Sequence, residues 1–324
     1  MPAVNAPPLD ADVVTLVDWL ELTAFHSNMR RARIDEIDGA LKILDQEKAS
    51  DTGIEDAASE DRRSQIEREI DLRRDQLGDS YPFDLSDDGE ELQLIKDRGP
   101  SSFYLTCLIF SHASKSPILA TPPKARLLAR GRRREFQILA TLAVAGHLNG
   151  PALSFGWPRA GGTSIVQAIR RACELSGVGK ERDPPGPVAS KFAKDGGMDV
   201  IGWRPAVNGA PPPAEICFGQ AASGHGWREK DAPSVLEDFY ESFYLDRPQA
   251  QATGVTIVPF RLSDADYQMH NRRHGHILDR LRTPRAAMDG LRLHISGAQV
   301  DEGNRAAALA IWLGRYRSQA SKVA

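Results

Sequence analysis

Cysteine and aromatic residues are scarce in this chain. Its three cysteines, Cys107, Cys173 and Cys217, lie far apart and are odd in number among 324 residues. They exclude a disulfide framework and a cysteine-rich zinc site, and read as reduced core residues of a cytoplasmic protein. Aromatics amount to 7% and form no RNA-stacking motif of the RRM type. No apolar run reaches the roughly 20 residues that a membrane-spanning helix needs, so no membrane partner is expected. The opening residues, MPAVNAPPLDADV, lack the basic-then-apolar order of a secretory signal. A lysine is missing as well. In GWPRAGGTS, Gly156, Gly161 and Thr163 stand at P-loop spacing, but Gly162 occupies the position of the obligatory phosphate-binding lysine. That argues against an NTPase. It leaves either a plain helix start or a helix N-terminus that binds one backbone phosphate, assisted by Arg159.

What is present suffices for a large core. Hydrophobic residues make up 41% of the chain, and the length favours two domains. The net charge of −3 conceals an asymmetry. Residues 1–100 hold 12 Lys+Arg against 25 Asp+Glu, whereas 101–324 hold 29 against 19. The asymmetry suits a C-terminal nucleic-acid surface and an acidic N-terminal module, partner-binding or regulatory, although a solvated surface gives the same count.

Helical spacing is expected in residues 10–80: Val13, Leu16, Val17, Leu20 and Phe25 in one helix, Ile34, Ile37, Leu41 and Leu44 in a second. The polar stretch Gln46 to Asp61 reads as a loop, followed by a charged helix that stops at Gly78. Ser102 to Ala113 reads as a buried helix, and SPILATPPK, Ser116 to Lys124, as a boundary. The division is therefore an acidic helical region, 1–120, and an α/β domain, 121–324, built from helices flanking a small mixed sheet. Its expected order is helix (126–148), strand (151–155), helix (163–175), hairpin, helix (234–244), strand (254–260) and closing helices.

The hairpin lies in KDGGMDVIGWRPAVNGAPPPAEICFGQ, Lys194 to Gln220. Asn208-Gly209 is a turn signal, and the proline triplet forbids helix. If Arg204 pairs with Glu215, then Trp203 faces Ile216, Ile201 faces Phe218 and Asp199 faces Gln220. Opposed residues of an antiparallel pair share one face, with Cβ atoms about 5 Å apart. A carboxylate beside a carboxamide at the open end suits a hard divalent cation such as Mg²⁺ or Mn²⁺.

This arrangement resembles the core of the PD-(D/E)xK, or restriction-endonuclease-like, nuclease superfamily over roughly residues 125–260. Asp199 matches the aspartate of the family's second core strand, and Gln220 the acidic or Gln residue of the next. Glu135, at the start of REFQILATLAVAGHL, matches the helix-borne acid. Ala222 departs from the pattern, standing where the family has its lysine. The resemblance implies a restriction-endonuclease-like α/β fold and a Mg²⁺-dependent (or Mn²⁺-dependent) endonuclease acting on DNA, with RNA not excluded. It further implies a role in bacterial genome defence, such as antiviral defence, or in DNA processing, with the N-terminal helices docking a protein partner. The metal shell is then Glu135, Asp199, Gln220 and the carbonyl of Ala221. Lys230, then His225, then Lys194 are the candidates to replace the lysine, His225 because its charge changes near neutrality.

Basic residues provide the candidate nucleic-acid contacts: Arg130, Arg132 and Arg133 beside Glu135, Arg159 in the glycine-rich turn, and Arg272 and Arg273 in MHNRRHGHILDR. His270 and His274 stand at i,i+4 but lack the cysteines of a zinc set, so this segment reads as basic surface lining the cleft, with Arg280. Trp157, Trp203 and Trp227 are expected to pack around the hairpin, with stacking on an exposed base as the alternative. Two further readings compete with the enzyme: a non-catalytic nucleic-acid-binding or assembly module that keeps the nuclease fold, and an adaptor whose function resides in residues 10–113.

Overall fold

A computed structural model describes residues 3–44, 52–114, 116–157, 159, 162–187, 189, 196–229 and 232–322. The chain forms two compact units, one of residues 1–128 with 310–324 and one of residues 129–309. The expected division at residue 120 thus falls at 128, and the chain's last segment belongs to the first unit.

The first unit contains α1 (Val13–His26), β1 (Arg31–Arg33), α2 (Asp35–Leu44), α3 (Thr52–Leu77), β2 (Phe83–Leu85), β3 (Glu91–Leu94) and α4 (Ser101–His112). The strands make a small antiparallel sheet in the order β1-β3-β2. Asp12 caps α1 by accepting from the Thr15 amide. Residues 52–61, expected as loop, belong to α3 instead. Few apolar residues mark this segment, and its helix is stitched by charge, as where Arg63 bridges Glu67 at i,i+4 and Glu90 on the sheet side. Residues 310–324 join this unit because Trp312 stacks with Tyr316 and meets Phe110 edge-on, while its indole donates to the Leu127 carbonyl.

A buried ionic network holds α1, α3 and α4 together. Arg73 is fully buried and donates to Asp18, Glu69, Tyr104 and the Val14 carbonyl, with Glu21 3.0 Å away. Glu21 accepts from Tyr81 and Tyr104, and Asp18 also meets His112 at 2.7 Å. The carboxylates push the Arg73 pKa well up against the opposing effect of burial.

The second unit follows α5 (Ala125–Arg130) with a π turn (Gly131–Glu135) that runs into α6 (Phe136–Leu148). Then come β4 (Ala152–Ser154), α7 (Ile165–Ser176), β5 (Lys180–Glu181), β6 (Val200–Arg204), β7 (Glu215–Ala221), α8 (Ala232–Phe243), β8 (Tyr244–Asp246), β9 (Gln251–Ile257), α9 (Asp264–His274), β10 (His276–Leu278) and α10 (Thr283–Ile295), after which most of α11 (Ala307–Ala320) belongs to the first unit. The five-stranded sheet has the order β10-β9-β7-β6-β4. It is mixed: β4, β6 and β7 are antiparallel neighbours, whereas β7, β9 and β10 run parallel. The α/β architecture with a helix-flanked mixed sheet is therefore present.

The hairpin takes the expected register, with Arg204 opposite Glu215, Trp203 opposite Ile216 and Ile201 opposite Phe218. These apolar pairs join Ile169, Phe239 and Tyr240 in one core between the sheet and α7 and α8. Each such buried side chain contributes about 1.5–3 kcal/mol, so slipping the register by one residue would turn this whole set away from its helices. No described helix is long and apolar enough to cross a membrane.

Candidate metal and phosphate site

At the carboxyl end of β7 the second unit opens a cavity of about 650 Å³. Ligands of parallel-strand proteins sit at such ends. Asp199, Gln220, Ala221, Arg132, Arg133 and Gln137 all line it.

Asp199 lies one residue before β6, beyond the hairpin ladder that ends at Val200 opposite Gly219, because its backbone is drawn aside. Its amide donates to the Gly219 carbonyl, and its own carbonyl accepts from the Phe155 and Gly156 amides and from Gln137 Nε2, at 2.7, 3.0 and 2.7 Å. The carboxylate is fixed from the other strand, where the Ala221 amide donates to Oδ2 at 2.8 Å. Ala221 thus touches Asp199 through its N–H, a role the sequence reading did not assign.

Gln220 is 4% exposed, and its Nε2 donates to the Gly197 carbonyl at 2.7 Å. That geometry needs a glycine. Gly197 has φ +85°, and a Cβ there would stand 2.7 Å from Val235. With Nε2 committed, Oε1 of Gln220 is buried and accepts no hydrogen bond. A buried acceptor without a donor costs free energy on the order of 1–3 kcal/mol. A cation satisfies it, and Mg²⁺ is commonly held by one or two protein oxygens with waters completing its octahedron. Asp199 and Gln220 fit that requirement.

Glu135 does not join them. It is buried at the end of the π turn, is not among the residues lining the cavity, and accepts from Arg130 Nε through Oε1 at 3.1 Å. Its Oε2 is buried without a partner. The helix expected over 126–148 is interrupted by the π turn, closed by a Phe136 amide to Gly131 carbonyl bond, and this sets the side chains at 131–135 out of α-helical phase with α6. Among the described residues no group of three or more His, Cys, Asp and Glu is placed to hold a metal ion.

Ala222, at the family's lysine position, is 1% exposed and packs with Trp227, Val258, Leu262 and Ile277. Lys230 and Lys194 lie outside the described residues. His225 is exposed, stacks at a tilt on Phe260 and does not line the cavity.

The arginines divide. Arg132 and Arg133 line the cavity, and burial lowers the Arg132 pKa. Arg130 is spent on Glu135. Arg159 is 9% exposed and donates to the Thr163 and Phe155 carbonyls, so it braces the turn before α7. That turn ends in a capping box, Ser164 with Gln167. Arg272 and Arg273 are exposed in the last turn of α9, away from the cavity lining. The expected basic surface of this segment is also corrected. His270, His274 and Arg280 are buried, and both histidine rings pack on Trp227, because α9 turns that side toward the core.

One contributor escaped sequence reasoning. Gln137 ties α6 to Asp199, and the signal was its place as a lone polar side chain near the start of an apolar helix. Trp157, expected to pack around the hairpin, is 45% exposed; it lines the cavity, as does Trp227, but Trp203 and Trp227 are buried as expected. No protein-family model matches the chain, and comparisons with curated proteins and with solved structures find no match.

Proposed function

We propose that this chain is a metal-dependent nuclease, a divergent relative of the PD-(D/E)xK enzymes, that hydrolyses phosphodiester bonds in nucleic acid, with DNA as the favoured substrate. One observation carries the reading: an anchored carboxylate and an unpartnered buried carboxamide oxygen share a cavity with two arginines. When bound, Mg²⁺ or Mn²⁺ supplies polarisation of a phosphoryl oxygen and a lowered pKa for attacking water. Asp199 and Gln220 hold the cation, and the Ala221 amide keeps the Asp199 carboxylate turned toward it. Arg132 and Arg133 bind the phosphate and offset charge that grows on it during displacement. Arg132 takes over the work of the strand lysine, since Ala222, although it lines the cavity, offers only a buried methyl group packed on Trp227 and Val258.

The test is cleavage of plasmid, linear duplex and single-stranded DNA by purified protein with Mg²⁺, Mn²⁺ or EDTA, beside Asp199→Asn. We expect metal-dependent cleavage that the variant lowers by a factor on the order of 10² or more. A second reading, a non-catalytic nucleic-acid-binding module, is favoured by the burial of Ala222 and by the separation of Glu135 from the cavity. Salt-sensitive binding without cleavage in any metal establishes it in place of the enzyme.

A further inference from the structure

An exposed tryptophan at a basic cavity is an expensive feature to leave in water. Trp157 keeps 45% of its surface exposed, while Trp203 and Trp227 on the same unit keep 5% and 1%. Its position is set by the site itself. The preceding residue, Gly156, donates its amide to the Asp199 carbonyl, and so does Phe155 before it. Gly156 also lies so close to Gln137 that a Cβ would meet Oε1 at 2.3 Å. Gln137 in turn donates to the same Asp199 carbonyl. The indole is thus one residue beyond a clamp that ends on the backbone of the proposed metal-binding aspartate. Arg159 stands with its guanidinium carbon 5.3 Å from the ring centroid, and its own bonds to Phe155 and Thr163 hold it there. A pinned cation supports the ring from one side.

We propose that Trp157 is a base-stacking platform and that the cavity takes single-stranded nucleic acid, one unpaired base lying on the indole while its phosphate meets Arg132 and Arg133. This rests on the phosphodiester reading above and narrows its substrate. The volume of about 650 Å³ belongs to the range of pockets that enclose small ligands, roughly 300–1,000 Å³. A base inside a duplex has both faces covered by its neighbours, so a stacking platform is reached only by an unpaired or extruded base. Stacking tolerates any base, because each offers a π face, so the platform selects strandedness and not sequence.

Binding in EDTA, where hydrolysis is blocked, tests the proposal by fluorescence anisotropy with a labelled 12-residue oligo-dT, the same length carrying abasic sites, and a hairpin duplex. The intact strand is expected to bind more tightly than the duplex and the abasic strand. Trp157→Ala should weaken the intact strand by roughly 10- to 100-fold, Trp157→Phe should restore most of the loss, and neither should change duplex binding. Equal binding of intact and abasic strands by the wild-type protein overturns the stacking role without needing any variant, and leaves the phosphodiester reading standing. Wild-type affinity in a folded Trp157→Ala protein has the same meaning. No binding of any of the three probes, in EDTA or with Mg²⁺ added, removes both.

Discussion

The two units bury polar groups in opposite ways. In the first, Arg73 is enclosed by Asp18, Glu21 and Glu69, and these acids are in turn engaged by Tyr81, Tyr104 and His112. In the second, Gln220 spends its amide nitrogen on Gly197 and leaves a buried oxygen with no donor. A closed network of this kind serves to fix one arrangement of helices, and its cost is met within the chain. An open one is tolerated where something from outside completes it. An orphaned atom alone does not mark a ligand site, since Glu135 Oε2 is also buried without a partner away from the cavity; Gln220 is set apart by lining the cavity beside Asp199.

Substitutions sharpen this contrast, beginning with the largest expected effect. Arg73→Met should destabilise the first unit by about 3–5 kcal/mol, because it strands several carboxylates in a dry interior; the midpoint of urea unfolding reads it. Gln220→Leu should do the reverse of a structural lesion. Unfolding is expected to change by no more than about 1 kcal/mol, since one hydrogen bond is lost and one orphan removed together. The Mn²⁺ concentration needed for half-maximal cleavage should rise at least about 10-fold. If Gln220→Leu unfolds the protein as severely as Arg73→Met, the distinction between the two units collapses.

A smaller effect is set by His26, which is partly buried against Phe25 and Tyr316. Burial, aided by the charge of Arg317, lowers its pKa from 6.5 to about 4. The unfolded chain therefore takes up a proton that the folded one refuses. Stability from this group is complete above pH 6.5 and declines as pH falls toward 4. Urea midpoints across that window should fall more steeply for the wild-type protein than for His26→Gln.

The sequence made the hairpin legible because its signals agree: a turn dipeptide, flanking prolines, and two apolar pairs that make sense in one register only. Asp199 and Gln220 follow from that register, and the cavity brings both to its wall. Other features left no such trace. Glu135 begins an apolar helix in the sequence, but nothing in its neighbours announces a π turn that ties it to Arg130. His270 and His274 sit in a run of polar residues, and only the fold reveals that α9 turns them under Trp227. The return of residues 310–324 to the first unit depends on Trp312 finding Phe110, a pairing that spacing along the chain does not encode.

The π turn has a consequence for how this region tolerates change in length. Each residue of an α-helix advances about 100° around the axis. A turn that closes over five residues therefore offsets Arg132 and Arg133 angularly from α6. Deleting one residue between Gly131 and Glu135 would restore regular winding and rotate the side chains before the cut, while leaving every remaining side chain chemically intact. The aim of these arginines is stored in a count of residues, so an indel here does more harm than a conservative exchange at either of them.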